Sequence, residues 1–302
     1  MPHQNHILSV VFAGTILLVV FLSRAEDAAP QREIMQNYSD QSATELVAAL
    51  LPPQENLVNA IAQPPSQIAS GLLSDLSLGK EYFSLNPDQY WPLASLTKLM
   101  TAVISLENIP EDKEIFFSSN AVAIDGNAGN FKEGEMFLRD DLVKAMMTVS
   151  SNDAAVALAE SFNGGIDEFI IKMNSKALEL RMNQSSFFDP SGLNLANQSN
   201  IHDIEKLILY IYRYHPEIFK WSTHKSVDLT ELNSKTKRTV NSINLFAGQP
   251  GFIGGKTGYL EEANGNLASL FSYKGRIILI ITLGAEDRFG ETSKLYNWFK
   301  TL

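Results

Sequence analysis

The stretch NLASLFSYKGRIILIITL, Asn266 to Leu283, decides the fold. It divides into two strand-forming runs, Asn266 to Tyr273 and Arg276 to Leu283, around the turn dipeptide Lys274-Gly275. The second run is nearly all aliphatic. Downstream, Glu291 to Lys300 carries Leu295, Trp298 and Phe299 with the spacing of an amphipathic helix. Upstream, Ser226 to Leu232 and Arg238 to Ile243 have strand character, and before them the period changes. Ile201 to Tyr214, Ile166 to Leu180, Asp153 to Phe162 and Leu138 to Val149 all have helical spacing. So does the segment from Ser95, with Leu96, Leu99, Met100, Val103 and Ile104 at i, i+3, i+4, i+7 and i+8. Before that, Ile68 to Asp75 and Lys80 to Leu85 flank Leu76-Ser77-Leu78-Gly79 as a hairpin. Strands at both ends and helices between them predict an α+β fold whose first and last thirds share one sheet. There is no internal repeat.

Composition narrows the function. The chain has 302 residues, 45% hydrophobic and 19% charged, enough for a sizeable core and too apolar for general disorder. Its 24 Lys and Arg against 34 Asp and Glu give a net charge of −10. No basic run exceeds Lys235-Thr236-Lys237-Arg238, so nucleic acid is not an expected partner. The absence of cysteine removes disulfides, thiolate nucleophiles and Cys-ligated zinc. His202-Asp203 with Glu205 is the one metal-like grouping, and no other residues supply ligand spacing, so neither metal nor cofactor is implied.

The amino terminus bears on location. Ile7 to Leu22 is apolar except for Ser9, Gly14 and Thr15. As a helix it would reach about 24 Å, short of a ~30 Å hydrocarbon core. That length fits an export signal or short anchor, although no Lys or Arg precedes it and Arg24 lies within the small-residue site Ser23-Arg24-Ala25. Residues 1–24 are therefore expected to be a signal peptide or membrane anchor, 25–65 a Pro/Gln-rich linker, and 66–302 the folded body. Membrane contact through 7–22 is expected if the segment is retained.

Three short motifs carry chemistry: Ser95-Leu96-Thr97-Lys98, Ser150-Ser151-Asn152 and Lys256-Thr257-Gly258. Ser-x-x-Lys also occurs at Ser77, Ser222 and Ser234, so context must discriminate. Ser95 opens a strong amphipathic helix, where unpaired N–H groups and the dipole suit a developing oxyanion. A spacing of three puts Ser95 and Lys98 on one face, and a neutral lysine can take the proton that a serine nucleophile must lose. A plain helix N-cap is the alternative use of Ser95. Lys256 and Thr257, after Gly254-Gly255, are suited to hold a carboxylate on an open strand. The glycine spacing there is wrong for a phosphate-binding loop.

In this order the motifs resemble those of the penicillin-recognising serine peptidases. Ala94-Ser95-Leu96-Thr97-Lys98-Leu99-Met100-Thr101, Ser150-Ser151-Asn152-Asp153-Ala154-Ala155, Phe188-Asp189-Pro190-Ser191-Gly192-Leu193 and Gly255-Lys256-Thr257-Gly258-Tyr259 narrow the likeness to the D-alanyl-D-alanine carboxypeptidases, the low-molecular-mass penicillin-binding proteins. The resemblance implies a β-lactamase/D,D-peptidase-like fold, an antiparallel sheet flanked by helices with a mainly helical middle lobe. It also implies Ser95 as nucleophile, Lys98 as its base and Ser150 as proton relay. Asn152 would hold the substrate amide, and Lys256 and Thr257 the terminal carboxylate. Gly258 would keep the strand open, the N–H groups of Ser95 and Tyr259 would form the oxyanion hole, and Arg288 would attract the carboxylate.

The implied partners are stem peptides of peptidoglycan ending in D-Ala-D-Ala and β-lactam antibiotics, outside the cytoplasm. Carboxypeptidase action on the terminal D-Ala and endopeptidase action on cross-links both remain open. Lys98 is expected to be partly neutral through burial and the charge of Lys256. Tyr259 stands where many relatives carry histidine, and the β-rich C-terminal domain common in the family is not expected here. A class A β-lactamase would need a deacylating glutamate; Glu179-Leu180-Arg181-Met182-Asn183 comes close, but it reads as the end of a helix. An inactive wall-binding module is opposed by intact Ser95, Lys98 and Lys256. A Ser-His-Asp hydrolase would need a Gly-x-Ser-x-Gly elbow, which is missing, and His202, His215 and His224 read as surface or loop residues.

Overall fold

The aliphatic run near the carboxyl terminus has both of its faces covered, which is why it lacks the alternation of a half-exposed strand. In the computed structural model, which describes residues 66–302 except Asn127, the chain runs as follows. β1 (Ser70–Asp75) and β2 (Lys80–Leu85) form the predicted hairpin, and β3 (Trp91–Pro92) leads into a 3₁₀ turn, Ala94–Thr97. Then come α1 (Lys98–Asn108), β4 (Glu114–Phe116), α2 (Ser119–Val122), β5 (Met136–Leu138), α3 (Arg139–Thr148), α4 (Asn152–Glu160) and α5 (Gly165–Glu179). After β6 (Gln198–Ser199) follow α6 (Ile201–Tyr214), α7 (Pro216–Ser222), and the ribbon β7 (Ser226–Thr230) and β8 (Lys237–Asn241). The chain closes with β9 (Phe252–Leu260), β10 (Asn264–Tyr273), β11 (Arg276–Ala285) and α8 (Arg288–Phe299).

The five-stranded sheet has the order β2-β1-β11-β10-β9, antiparallel throughout. The first and last thirds do share it, through pairs such as Leu72 with Ile281. Along β11, Leu279, Ile281 and Leu283 join Leu72 and Ala268 against the helical lobe. Ile278 and Ile280 join Leu73, Leu267 and Phe271 against Leu295 and Phe299 of α8. In the lobe, α6 buries Ile201, Ile204, Leu207, Ile208 and Ile211 as one stripe, and Asn200 caps it by accepting the Asp203 N–H at 2.9 Å. The first eight residues of α1, Lys98 to Ser105, are all buried, so this helix is enclosed on every side at its amino end.

The expected helix Ile201–Tyr214 is followed by a further one, α7, starting at Pro216, because proline at the first helical position gives up only an N–H that would be unpaired anyway. β9 begins at Phe252, four residues before the expected Lys256. Its Gly254 and Gly255 are there for close packing: added Cβ atoms would lie 2.5 Å from the Phe219 carbonyl oxygen and 2.3 Å from that of Ala268. Among the described residues no helix is long and apolar enough to cross a membrane. The expectations for 1–24 and for 25–65 lie outside the described residues.

Candidate active site

Ser95 lies in the 3₁₀ turn, one residue after Ala94, whose φ of +48° is unfavourable for a side chain with a Cβ. Neither this turn nor α1 is closed by a side-chain cap, so Ser95 does not serve as one. Its hydroxyl faces the Lys98 amine instead, with Nζ 2.9 Å from Oγ. The same Nζ lies 2.5 Å from Asn152 Oδ1 and 2.6 Å from the Ser191 carbonyl oxygen. Lys98 is wholly buried. Burial pulls its amine down to about 7, although the Asp189 and Asp153 carboxylates act to raise it. A neutral amine with two N–H bonds directed at Asn152 and Ser191 has its lone pair left for the Ser95 O–H.

The second lysine approaches from the edge strand. Lys256, 1% exposed, donates to Ser150 Oγ at 2.8 Å and to the Thr257 carbonyl at 2.7 Å. Burial holds it well below the ordinary lysine range, and the charges of Lys98 and Arg288 push it further down. The repulsion between the two ammonium groups is mutual, so a charge on either lysine disfavours protonation of the other. Ser150 reaches Lys256 from a left-handed conformation, φ +61°, between α3 and α4. The next residue, Ser151, caps α4 by accepting the Ala154 N–H at 3.0 Å, which leaves Asn152 on the first turn to face Lys98. The Asn152 amide is held from behind, donating to the Asp125 carbonyl at 2.7 Å.

An open cleft of about 490 Å³ lies over these groups. Of the nine residues predicted from sequence, seven line it: Ser95, Ser150, Asn152, Thr257, Gly258, Tyr259 and Arg288. The other two, Lys98 and Lys256, are buried with their amines reaching Ser95 and Ser150. Gly258 is needed for close approach: a Cβ there would sit 3.0 Å from the Leu93 carbonyl and 3.2 Å from Ser95 N. Arg288 lines the cleft and donates from Nη1 to the Gly258 carbonyl at 3.0 Å, while its Nε is buried without a partner. The Tyr259 ring is 62% exposed. No histidine lines the cleft. Glu179 points elsewhere, 2.9 Å from Lys176 and 61% exposed, which removes it as a deacylating base.

Two residues of this arrangement were not found from sequence. Buried Asn266 donates to the carbonyls of Pro92 and Leu93 at 2.8 and 3.1 Å and accepts the Gly284 N–H at 3.0 Å, fastening the chain before Ser95 to the sheet. A polar residue at the head of an apolar strand was its only signal. Ile243, between β8 and β9, lines the cleft, and nothing in the sequence marked it. Among the described residues no group of three or more His, Cys, Asp or Glu could hold a metal ion.

A serine hydroxyl on a depressed lysine amine, with a second lysine bridged to a second serine, is the arrangement of acyl-transfer enzymes that use lysine where others use histidine. The D-alanyl-D-alanine carboxypeptidase family pattern matches residues 58–287, and the chain belongs to this family of serine peptidases. It is 30% identical over 268 residues to a D-alanyl-D-alanine endopeptidase of Pseudomonas aeruginosa, covering 86% of this chain and 85% of the relative. It is 28% identical to the D-alanyl-D-alanine carboxypeptidase DacF of Bacillus subtilis, covering 76% of this chain and 61% of the relative. The fold is that of penicillin-binding protein D2 from Listeria monocytogenes, solved in its ampicillin-bound form. The two share a TM-score of 0.68 and 27% identity, over 78% of this chain and 99% of that one.

Proposed function

We propose that the protein is an exported serine D,D-peptidase that removes the terminal D-Ala from peptidoglycan stem peptides through an acyl-enzyme on Ser95. The observation that carries this reading is the 2.9 Å contact between Ser95 Oγ and the buried Lys98 amine at the floor of an open cleft. In the first step Ser95 Oγ bonds to the penultimate D-Ala carbonyl carbon while its proton passes to Lys98 Nζ. The oxyanion is received by the N–H groups of Ser95 and Tyr259. Asn152 holds the substrate amide, and Lys256, Thr257 and Arg288 attract the terminal carboxylate. The C–N bond then breaks as the departing amine takes a proton relayed through Ser150, and water hydrolyses the ester. A β-lactam undergoes the same attack, but its amine stays tethered in the cleft and the ester persists. Residues 1–24 act as leader or anchor and 25–65 as linker in this reading.

A second reading, endopeptidase action on cross-links, is favoured by the relatives. The chain covers 85% and 86% of the lengths of the Pseudomonas and Escherichia coli endopeptidases, against 61% of the Bacillus carboxypeptidase. The attacked D-Ala carbonyl would be the same, and only the amine that leaves would differ. The test is incubation of the purified protein and Ser95→Ala with a pentapeptide monomer and with cross-linked dimers, followed by chromatography. Free D-Ala from the monomer supports the first reading, and monomers from the dimer support the second. Activity that survives in Ser95→Ala refutes both.

A further inference from the structure

The segment Phe188 to Leu193 contributes no side chain to the cleft, yet it reaches the reacting groups from behind. One oxygen of the Asp189 carboxylate accepts the Ser191 N–H at 2.6 Å, the Ser191 hydroxyl at 2.7 Å and the Gly192 N–H at 2.6 Å. The other accepts the Asn194 N–H at 2.7 Å. Four bonds on one carboxylate fix the direction of the Ser191 carbonyl, which meets Lys98 Nζ at 2.6 Å. The loop is also pressed onto the turn that bears Ser95. Gly192, at φ +90°, lies so close that a Cβ would come within 1.9 Å of the Ala94 carbonyl oxygen. The Pro190 carbonyl accepts the Thr101 hydroxyl of α1 at 2.6 Å.

We propose that Asp189 is a positioning residue of the acylation step: it folds the 189–194 loop against the Ser95 turn, holds the Ser191 carbonyl on Lys98 Nζ, and places a negative charge behind that amine. This rests on the reading of Ser95 and Lys98 as nucleophile and base. The charged and titratable groups around Lys98 come from three elements. Asp189 lies on this loop, Asp153 on α4, and Lys256 on β9. Of the acids, Asp189 acts more strongly on Lys98 than Asp153 does. Removing the Asp189 charge therefore makes the amine easier to deprotonate and carries the acid limb of acylation to lower pH.

The experiment is the rate of labelling of Ser95 by a fluorescent penicillin across pH, for the wild type, Asp189→Asn and Ser191→Ala. In Asp189→Asn the acid limb is expected to move down by about half a pH unit or more. The variant-to-wild-type rate ratio is then about threefold larger or more on the acid limb than on the alkaline plateau. Ser191→Ala keeps both the charge and the carbonyl, so its ratio to wild type stays flat with pH. A flat ratio for Asp189→Asn, or an equal displacement in Ser191→Ala, overturns the inference. Should Asp189→Asn not fold, judged by its melting curve, Asp189→Ser keeps a short oxygen acceptor without the charge and is read by the same outcomes. A wild type that takes up no label at any pH refutes the nucleophile reading itself, a result distinct from either of these.

Discussion

Replacing Lys98 with methionine separates what the lysine does for catalysis from what it does to stability. The side chain is wholly buried, and its amine falls from 10.5 in the unfolded chain to about 7 in the fold. That difference corresponds to about 5 kcal/mol of destabilisation when fully developed. The sign follows from proton counting. Between pH 7 and 10.5 the unfolded chain holds a proton on Lys98 that the folded chain has shed, so stability rises with pH across that window. Below the folded value the penalty is fully present, and above the unfolded value it is gone. From about pH 6 to about pH 9 the wild type should therefore gain about 2–3 kcal/mol that Lys98→Met, with no titrating group there, does not. Urea unfolding of both proteins at the two pH values, each also carrying Lys256→Met, isolates this difference, since the surface charges are common to both and the amine that Lys98 perturbs is gone. Methionine is near in volume, though it leaves the Asn152 oxygen and the Ser191 carbonyl without their donor, so the variant's absolute stability is not the informative quantity. Stability curves that run parallel from pH 6 to pH 9 would refute a depressed, buried Lys98 and, with it, the proposal of a lysine base.

Gly192→Ala should cost about 2–4 kcal/mol and slow penicillin labelling at least tenfold, because a Cβ would lie 1.9 Å from the Ala94 carbonyl at a φ of +90°; an unchanged melting temperature contradicts this. Glu107→Gln should cost about 1–3 kcal/mol at neutral pH by urea unfolding. Burial raises the Glu107 carboxyl, but hydrogen bonds from Lys176, Tyr210 and His215 outweigh it and hold it below its ordinary value. The stabilisation is present above the ordinary carboxylate value of 4.5 and is lost as pH falls through the depressed folded value, so the gap between variant and wild type should close in acid.

The parts of this molecule that were legible in its sequence are those whose physics is local. The α6 stripe and the hairpin 266–283 announce themselves by period and turn chemistry, and the Ser95–Lys98 pair is one turn of chain. β9 was cut short because Gly254 and Gly255 carry no strand signal of their own. They are required only once Phe219 and Ala268 pack against them. Asp189 and Asn266 were unreadable as contributors to the site for the same reason. Each looks like an ordinary loop or strand polar residue until α1, the 3₁₀ turn and the sheet meet. Ser150 and Lys256, 106 positions apart, were linked by resemblance alone, and no spacing rule could have joined them.

The energetics explain why this site sits where it does. Two buried lysines, a left-handed Ser150 and a left-handed Ala94 each oppose folding, and the Lys98 amine alone does so by about 5 kcal/mol, comparable with the whole net stability of many domains. A loop on a single core face would not hold such a group; it would open and hydrate it. Here the strained segments are fixed by elements that are themselves enclosed: α1 at its amino end, β10 with Asn266, and the loop tied by Asp189. The sheet beneath them is packed on both faces by separate apolar clusters. Opening the site would therefore require separating α1 or β10 from the core, which ties local hydration of Lys98 to loss of the lobe. Amide exchange should then protect the N–H groups of α1 near Lys98 almost as strongly as those of β11. Fast exchange at α1 beside slow exchange at β11 would show that the amine is exposed by a local motion and that its depressed proton affinity is not maintained by the core.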